Sequence, residues 1–137
     1  MIEDTLEKGY KTLIEGITYI VDNSITVEQF EDNEKKINPP LVSVHCRPLR
    51  RIAPNAPYFE SESEFTCMTY IDDDKARTVL KAIYSAVFDY MVDLLPATLA
   101  TETGLTIDGL VMDDAGDEER DENYQIFTIK LKTYLTK

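Results

Sequence analysis

The residues able to do covalent chemistry are few. His45 and Cys46 are neighbours, and a second thiol stands at Cys67. A cysteine or serine nucleophile needs a base beside it, most often histidine, and a third group to orient that base. His45 is the only histidine in the chain. If residues 41–47 form a strand, adjacent side chains point to opposite faces, so His45 and Cys46 do not share a site through local geometry. Pairing of His45 with Cys67 has no evident orienting group. A zinc site wants three or four converging ligands, and the same alternation separates them. Gly104 and Gly109 have the outer spacing of a phosphate-binding loop, but Leu110 and Val111 stand where Lys and Ser or Thr belong. The expectation is a non-enzyme with no catalytic residue, no cofactor and no resident metal.

Two charged stretches remain. Asp113, Asp114, Asp117, Glu118, Glu119, Asp121 and Glu122 crowd the segment DDAGDEERDE, which holds a single arginine. Calcium-loop spacing is absent. Three readings stay open for it: a solvated charge run, an acidic loop facing a partner or a pore, or an adventitious divalent-cation site. Arg47, Arg50 and Arg51, followed by Tyr58 and Phe59, form the one basic cluster of a chain with net charge −12. Arg and Tyr are enriched at protein interfaces, where Arg pairs with carboxylates and Tyr buries a large area. One reading is therefore a contact with the acidic loop of an adjacent copy, head to tail, of the kind that closes into a ring. The other is an ordinary surface loop.

The elements that hold these stretches follow from periodicity. Leu6, Tyr10, Leu13, Ile14, Ile17, Ile20 and Val21 predict a helix over 4–22. Thr26 with Gln29 predicts a short capped helix within 25–38, ended by Pro39-Pro40. Alternation predicts strands over 41–47 and 62–71, joined by a loop over 48–60. Asp72-Asp73-Asp74 suits a helix start, and an apolar stripe from Val79 to Leu95 carries a helix to Pro96. A further helical turn through Leu99 leads to Gly104 as a C-terminal cap. Strands over 105–112 and 124–135 follow, joined by the acidic loop. The predicted class is α+β: two layers in the order α-β-β-α-β-β, an antiparallel sheet with helices packed on one face.

A chain of 137 residues fits one domain over residues 1–137. The acidic balance repels nucleic acid and anionic membranes, so free DNA binding is not expected, whereas a surface that DNA slides past without sticking is compatible with it. The most apolar stretch, 79–95, contains Lys81, Asp89 and Asp93 and does not suit a membrane span. The start, Met1-Ile2-Glu3-Asp4, is acidic where a signal peptide carries a basic region. Cys46 and Cys67 read as buried thiols in a reducing compartment.

Taken together, the Pro-Pro-Leu-Val-Ser-Val-His-Cys strand, the Glu-Phe-Thr-Cys-Met-Thr-Tyr-Ile-Asp-Asp-Asp segment running into a helix, Leu-Thr-Ile-Asp-Gly-Leu-Val and Tyr-Gln-Ile-Phe-Thr-Ile-Lys-Leu resemble a known family. They resemble the tail terminator, or tail-completion, proteins of long-tailed, siphovirus-like bacteriophages, through size, element order and hydrophobic pattern over nearly the whole chain. The resemblance implies a homo-hexameric ring that caps the tail tube, stops its growth and meets the head–tail connector or neck protein, with DNA passing through the centre. It implies a virion protein of the head-proximal tail end, assembled in the host cytoplasm. A head-side neck protein (head-closure or adaptor) and a small cytoplasmic protein-binding module are the alternatives.

Overall fold

The computed structural model describes residues 2–29, 39–71, 75–120 and 123–137. The elements run α1 (Ile2–Glu15), α2 (Thr18–Asp22), β1 (Thr26–Gln29), β2 (Leu41–Cys46), β3 (Arg50–Arg51), β4 (Tyr58–Tyr70), α3 (Ala76–Asp93), α4 (Pro96–Thr103), β5 (Thr106–Arg120) and β6 (Tyr124–Thr136). The protein is a mixed α/β fold around a largely antiparallel sheet. Strand order is β1-β2-β4-β6-β5, with β3 pairing β4 beside this path. Among the described strands β1 alone runs parallel to its neighbour, with Val27 opposite Val42.

Several elements depart from the sequence expectation. The first helix breaks after Glu15: Ile17 takes an extended conformation (φ −66°, ψ 130°) and α2 restarts from it. The break lets Ile20 turn inward while Val21 stays exposed. The short helix expected around Thr26 is instead β1. Thr26 and Val27 are β-branched and suit extended backbone, and the ladder to β2 satisfies their peptide groups. Gln29 caps nothing here; its side-chain amide donates to Asp4 and Glu7 of α1. Residues 30–38 and the expected helix start at Asp72-Asp73-Asp74 lie outside the described residues. Among the described residues the order α-β-β-α-β-β thus becomes two helices, four strands, two helices and two strands.

The two charged stretches are strands too. Arg50 and Arg51 form β3, opposite Glu60 and Phe59, and β4 begins at Tyr58, four residues before its expected start. Most of the expected acidic loop continues β5, which stays paired with β6 up to Arg120 opposite Gln125. Its register shifts at three places, between Ile107 and Gly109, Met112 and Asp114, and Ala115 and Asp117. Gly116 sits at the last shift with φ +90°, a backbone geometry that side chains disfavour. The other expectations for the C-terminal half hold. α4 ends on Gly104 at φ 73°, whose N–H donates to Ala100.

Alternate residues of the sheet are buried. Val42, Val44 and Cys46 of β2, Phe65 and Cys67 of β4, and Phe127, Ile129, Leu131 and Leu135 of β6 join Leu6, Tyr10, Ile14, Leu80, Ile83, Val87 and Leu99 from the helices in one hydrophobic cluster. α1 packs on β1, β2 and α4; α3 packs on β4, β5 and β6. Gly9 lies so close to α4 that a side chain there would strike Thr103. Inside the core a polar chain runs from Tyr10 to Thr133, Ser63 and Cys46. No helix among the described residues is long and apolar enough to cross a membrane.

The sheet edge beyond β1 is closed by carboxylates of α1. Glu7 accepts the N–H of Cys46 at 2.9 Å and Glu3 that of Leu49 at 3.2 Å. These amides stand past the end of the short parallel strand, where an open edge would invite another chain.

Candidate functional site

The alternation that buries Ser63, Phe65 and Cys67 turns Glu60, Glu62 and Glu64 to the opposite, half-exposed face of β4. On β6 the same face presents Lys130, Lys132 and Tyr134. Antiparallel pairing sets Glu64 opposite Lys130 and Glu62 opposite Lys132, so opposite charges stand side by side across the strands. His45 of β2 pairs with Glu64 from the other side.

At one end of this face lies a groove of about 270 Å³ lined by Arg47, Pro48, Arg50, Glu60, Glu62, Asp113 and Lys132. Arg47 reaches Glu64 at 3.3 Å, and Arg50 pairs with Glu60. Lys130 stands 3.9 Å from Glu64, and Lys132 stands 3.9 Å from Asp113. The structure therefore gathers Arg47, Arg50 and Asp113, expected on two separate loops, around one groove of a single chain. The remaining basic-cluster residues sit beside it. Arg51 lies with its guanidinium carbon 5.5 Å from the centre of the Phe59 ring, and Lys137 Nζ lies 5.8 Å from the same ring. Phe59 is partly buried against the core, whereas Tyr58 is 52% exposed.

The acidic residues are spread along β5. Asp114 accepts the N–H of Ala115 at 2.8 Å, and Glu118 pairs with Arg77 of α3 at 2.7 Å. Glu119 is exposed. The side chain of Asp117, and all of Asp121 and Glu122, lie outside the described residues. Among the described residues no three His, Cys, Asp or Glu side chains gather as a metal site.

The thiol chemistry weighed from the sequence meets a physical obstacle. Cys46 and Cys67 are both buried. Burial pushes each thiol up to about 12, and the Glu7 and Glu3 carboxylates add to the effect at Cys46. Neither is a thiolate near neutral pH, and the thiolate is the nucleophile. His45 approaches Glu7 at 3.5 Å, on the side of the strand away from the Cys46 thiol.

Sequence reasoning passed over Glu60, Glu62 and Lys132, which line the groove, and Glu64 and Lys130 on the face beside it. Their signal was present as charge repeating every second position, Glu60-Ser61-Glu62-Ser63-Glu64 and Lys130-Leu131-Lys132. Period-two charge on a strand marks one wet face as clearly as period-two hydrophobicity marks the dry one. No protein-family model matches the chain, and no curated protein matches it.

Proposed function

We propose that this protein is a structural virion-assembly protein that forms a homo-hexameric ring, caps a phage tail tube and joins it to the head connector. The reading takes the finer architecture as two layers, helices on one side and a sheet face left open for contact. The observation that carries it is that open face, where rows of opposite charge run across β2, β4, β6 and β5. A surface of alternating fixed charges fixes register and suppresses wrong partners. The family resemblance in size and hydrophobic pattern supports the same reading. An edge strand of acidic residues suits a lumen past which DNA must slide without adhering. Tail-tube protein and the connector or neck protein are the partners, and no covalent step is assigned to the chain.

The test is a tube-assembly reaction. Purified tail-tube protein is polymerised with and without this protein, and tube lengths and ends are scored by electron microscopy. A terminator shortens the tubes in proportion to its concentration and appears as a density at one end only. Unchanged lengths and bare ends would overturn the reading.

A further inference from the structure

Large apolar side chains of the described residues are mostly buried, and four of the exceptions fall into two pairs of opposite electrostatic setting. Ile52 and Tyr58 are 50% and 52% exposed at the tip of the β3–β4 hairpin, where the Ile52 N–H donates to the Tyr58 carbonyl. Val92 and Leu95 are 57% and 63% exposed where α3 gives way to α4. Exposed apolar residues scattered singly need no explanation, but a clustered pair with a charged rim marks a contact surface.

The rims are complementary. Around the hairpin tip, Arg47 and Arg50 are already held by Glu64 and Glu60. Arg51 and Lys137 flank Phe59 and have no carboxylate partner among the described residues. On the ridge, Asp89 and Asp93 are exposed, one helical turn and one residue from Val92. Neither forms an ion pair among the described residues. By contrast the described β5 carboxylates are mostly engaged within the chain, Asp113 beside Lys132, Asp114 on the Ala115 amide and Glu118 on Arg77.

We infer that two copies of this chain bind head to tail, the β3–β4 hairpin tip of one seating on the α3–α4 ridge of the next. The occupant is a second copy because the chain itself supplies both halves: spare cations on the Phe59 face of the hairpin tip, across the strand from Ile52 and Tyr58, and spare carboxylates beside Val92 and Leu95. In a chain of net charge −12, an uncompensated basic tip is the surface on which another copy meets attraction and not repulsion. Two different patches meeting in this way generate a ring if the rotation closes. The inference deepens the ring reading above by naming the surfaces that touch.

The experiment is sedimentation velocity of the full chain over a concentration series, with thermal unfolding as the control for folding. R51E with K137E, and separately D89K with D93K, should each weaken self-association at least ~10-fold, the scale of close interfacial charge pairs. Combining all four substitutions restores opposite charge and should recover most of the loss, as should mixing the two reversed variants. V92A with L95A leaves every charge in place and should weaken association as well. Association and rings that persist through all these changes would overturn this contact and leave the ring reading standing. Loss in each reversal without recovery in the combination would also overturn it. A wild-type chain that stays monomeric and caps no tubes would overturn both.

Discussion

Tyr10 of α1 and Thr133 of β6 meet in the core with their oxygens 2.6 Å apart, across 123 residues of chain. The contact ties the first helix to the last strand, and Tyr10 also packs edge-on against Phe65 with ring centres 5.0 Å apart. Tyr10→Phe keeps the ring and deletes the hydroxyl. Thr133 retains Ser63 at 3.3 Å, so the loss should be that of one net hydrogen bond, about 1 kcal/mol. Urea unfolding should show a lower midpoint at an unchanged slope.

The same core sets an alkaline limit. Burial holds Tyr10, Cys46 and Cys67 in their neutral forms, with the two thiols pushed up from an ordinary 9.0 to about 12. Unfolding exposes them to ionise near their ordinary values, so above that point the unfolded chain binds fewer protons. Their contribution is complete below about pH 9 and is lost as the pH rises toward about 12. Cys67→Ala should make the fall shallower by on the order of 1 kcal/mol per pH unit, whatever it costs at neutral pH. Denaturant midpoints across about pH 9–12, the window those values define, check this; an unchanged slope would contradict the burial argument.

Glu7 guards an edge. Its carboxylate accepts the Cys46 N–H at 2.9 Å just past the end of β1. Glu7→Ala leaves that amide without its acceptor, at a cost of about 1–3 kcal/mol, and opens a strand edge to other chains. Light scattering on warming should therefore begin earlier than for the wild type. Glu7→Gln keeps an acceptor and should lie close to the wild type in both measurements.

Gly9 sets two opposing effects against each other. Replacing a helical glycine by alanine normally gains up to ~1 kcal/mol. Here the new methyl would meet Thr103 Cγ2 of α4. Thr103 is not free to turn aside, because its hydroxyl donates to Leu99 at 2.7 Å and accepts from Leu105 at 3.2 Å. Overpacking of this kind costs about 1–3 kcal/mol, so Gly9→Ala should lower the melting temperature instead of raising it.

How far the sequence carries depends on which force holds each element. β2, β4, α3 and β6 bury one face, so their apolar residues repeat at the period of the element and made them legible, except for the first four residues of β4, which lay before the expected strand. β1 was missed because it has four residues and runs parallel, held by its ladder to Leu41–Val44 and by Gln29 reaching α1. The acidic half of β5 was read as a loop because Asp113, Asp114, Glu118 and Glu119 face water. Its backbone pairing with β6 holds the strand, and an edge strand can carry charge without losing that ladder. The groove escaped notice for a related reason. Arg47 and Asp113 are far apart in sequence, and their meeting depends on β4 and β6 lying between β2 and β5, a strand order that periodicity alone does not reveal.

The proposed role is that of a ring at the end of a tail tube. Electron microscopy of the purified protein with polymerised tail-tube protein tests it most directly. The expected result is closed six-subunit rings seated on one end of each tube and an arrest of tube growth. Monomers in solution, with tubes that lengthen as if the protein were absent, would contradict it.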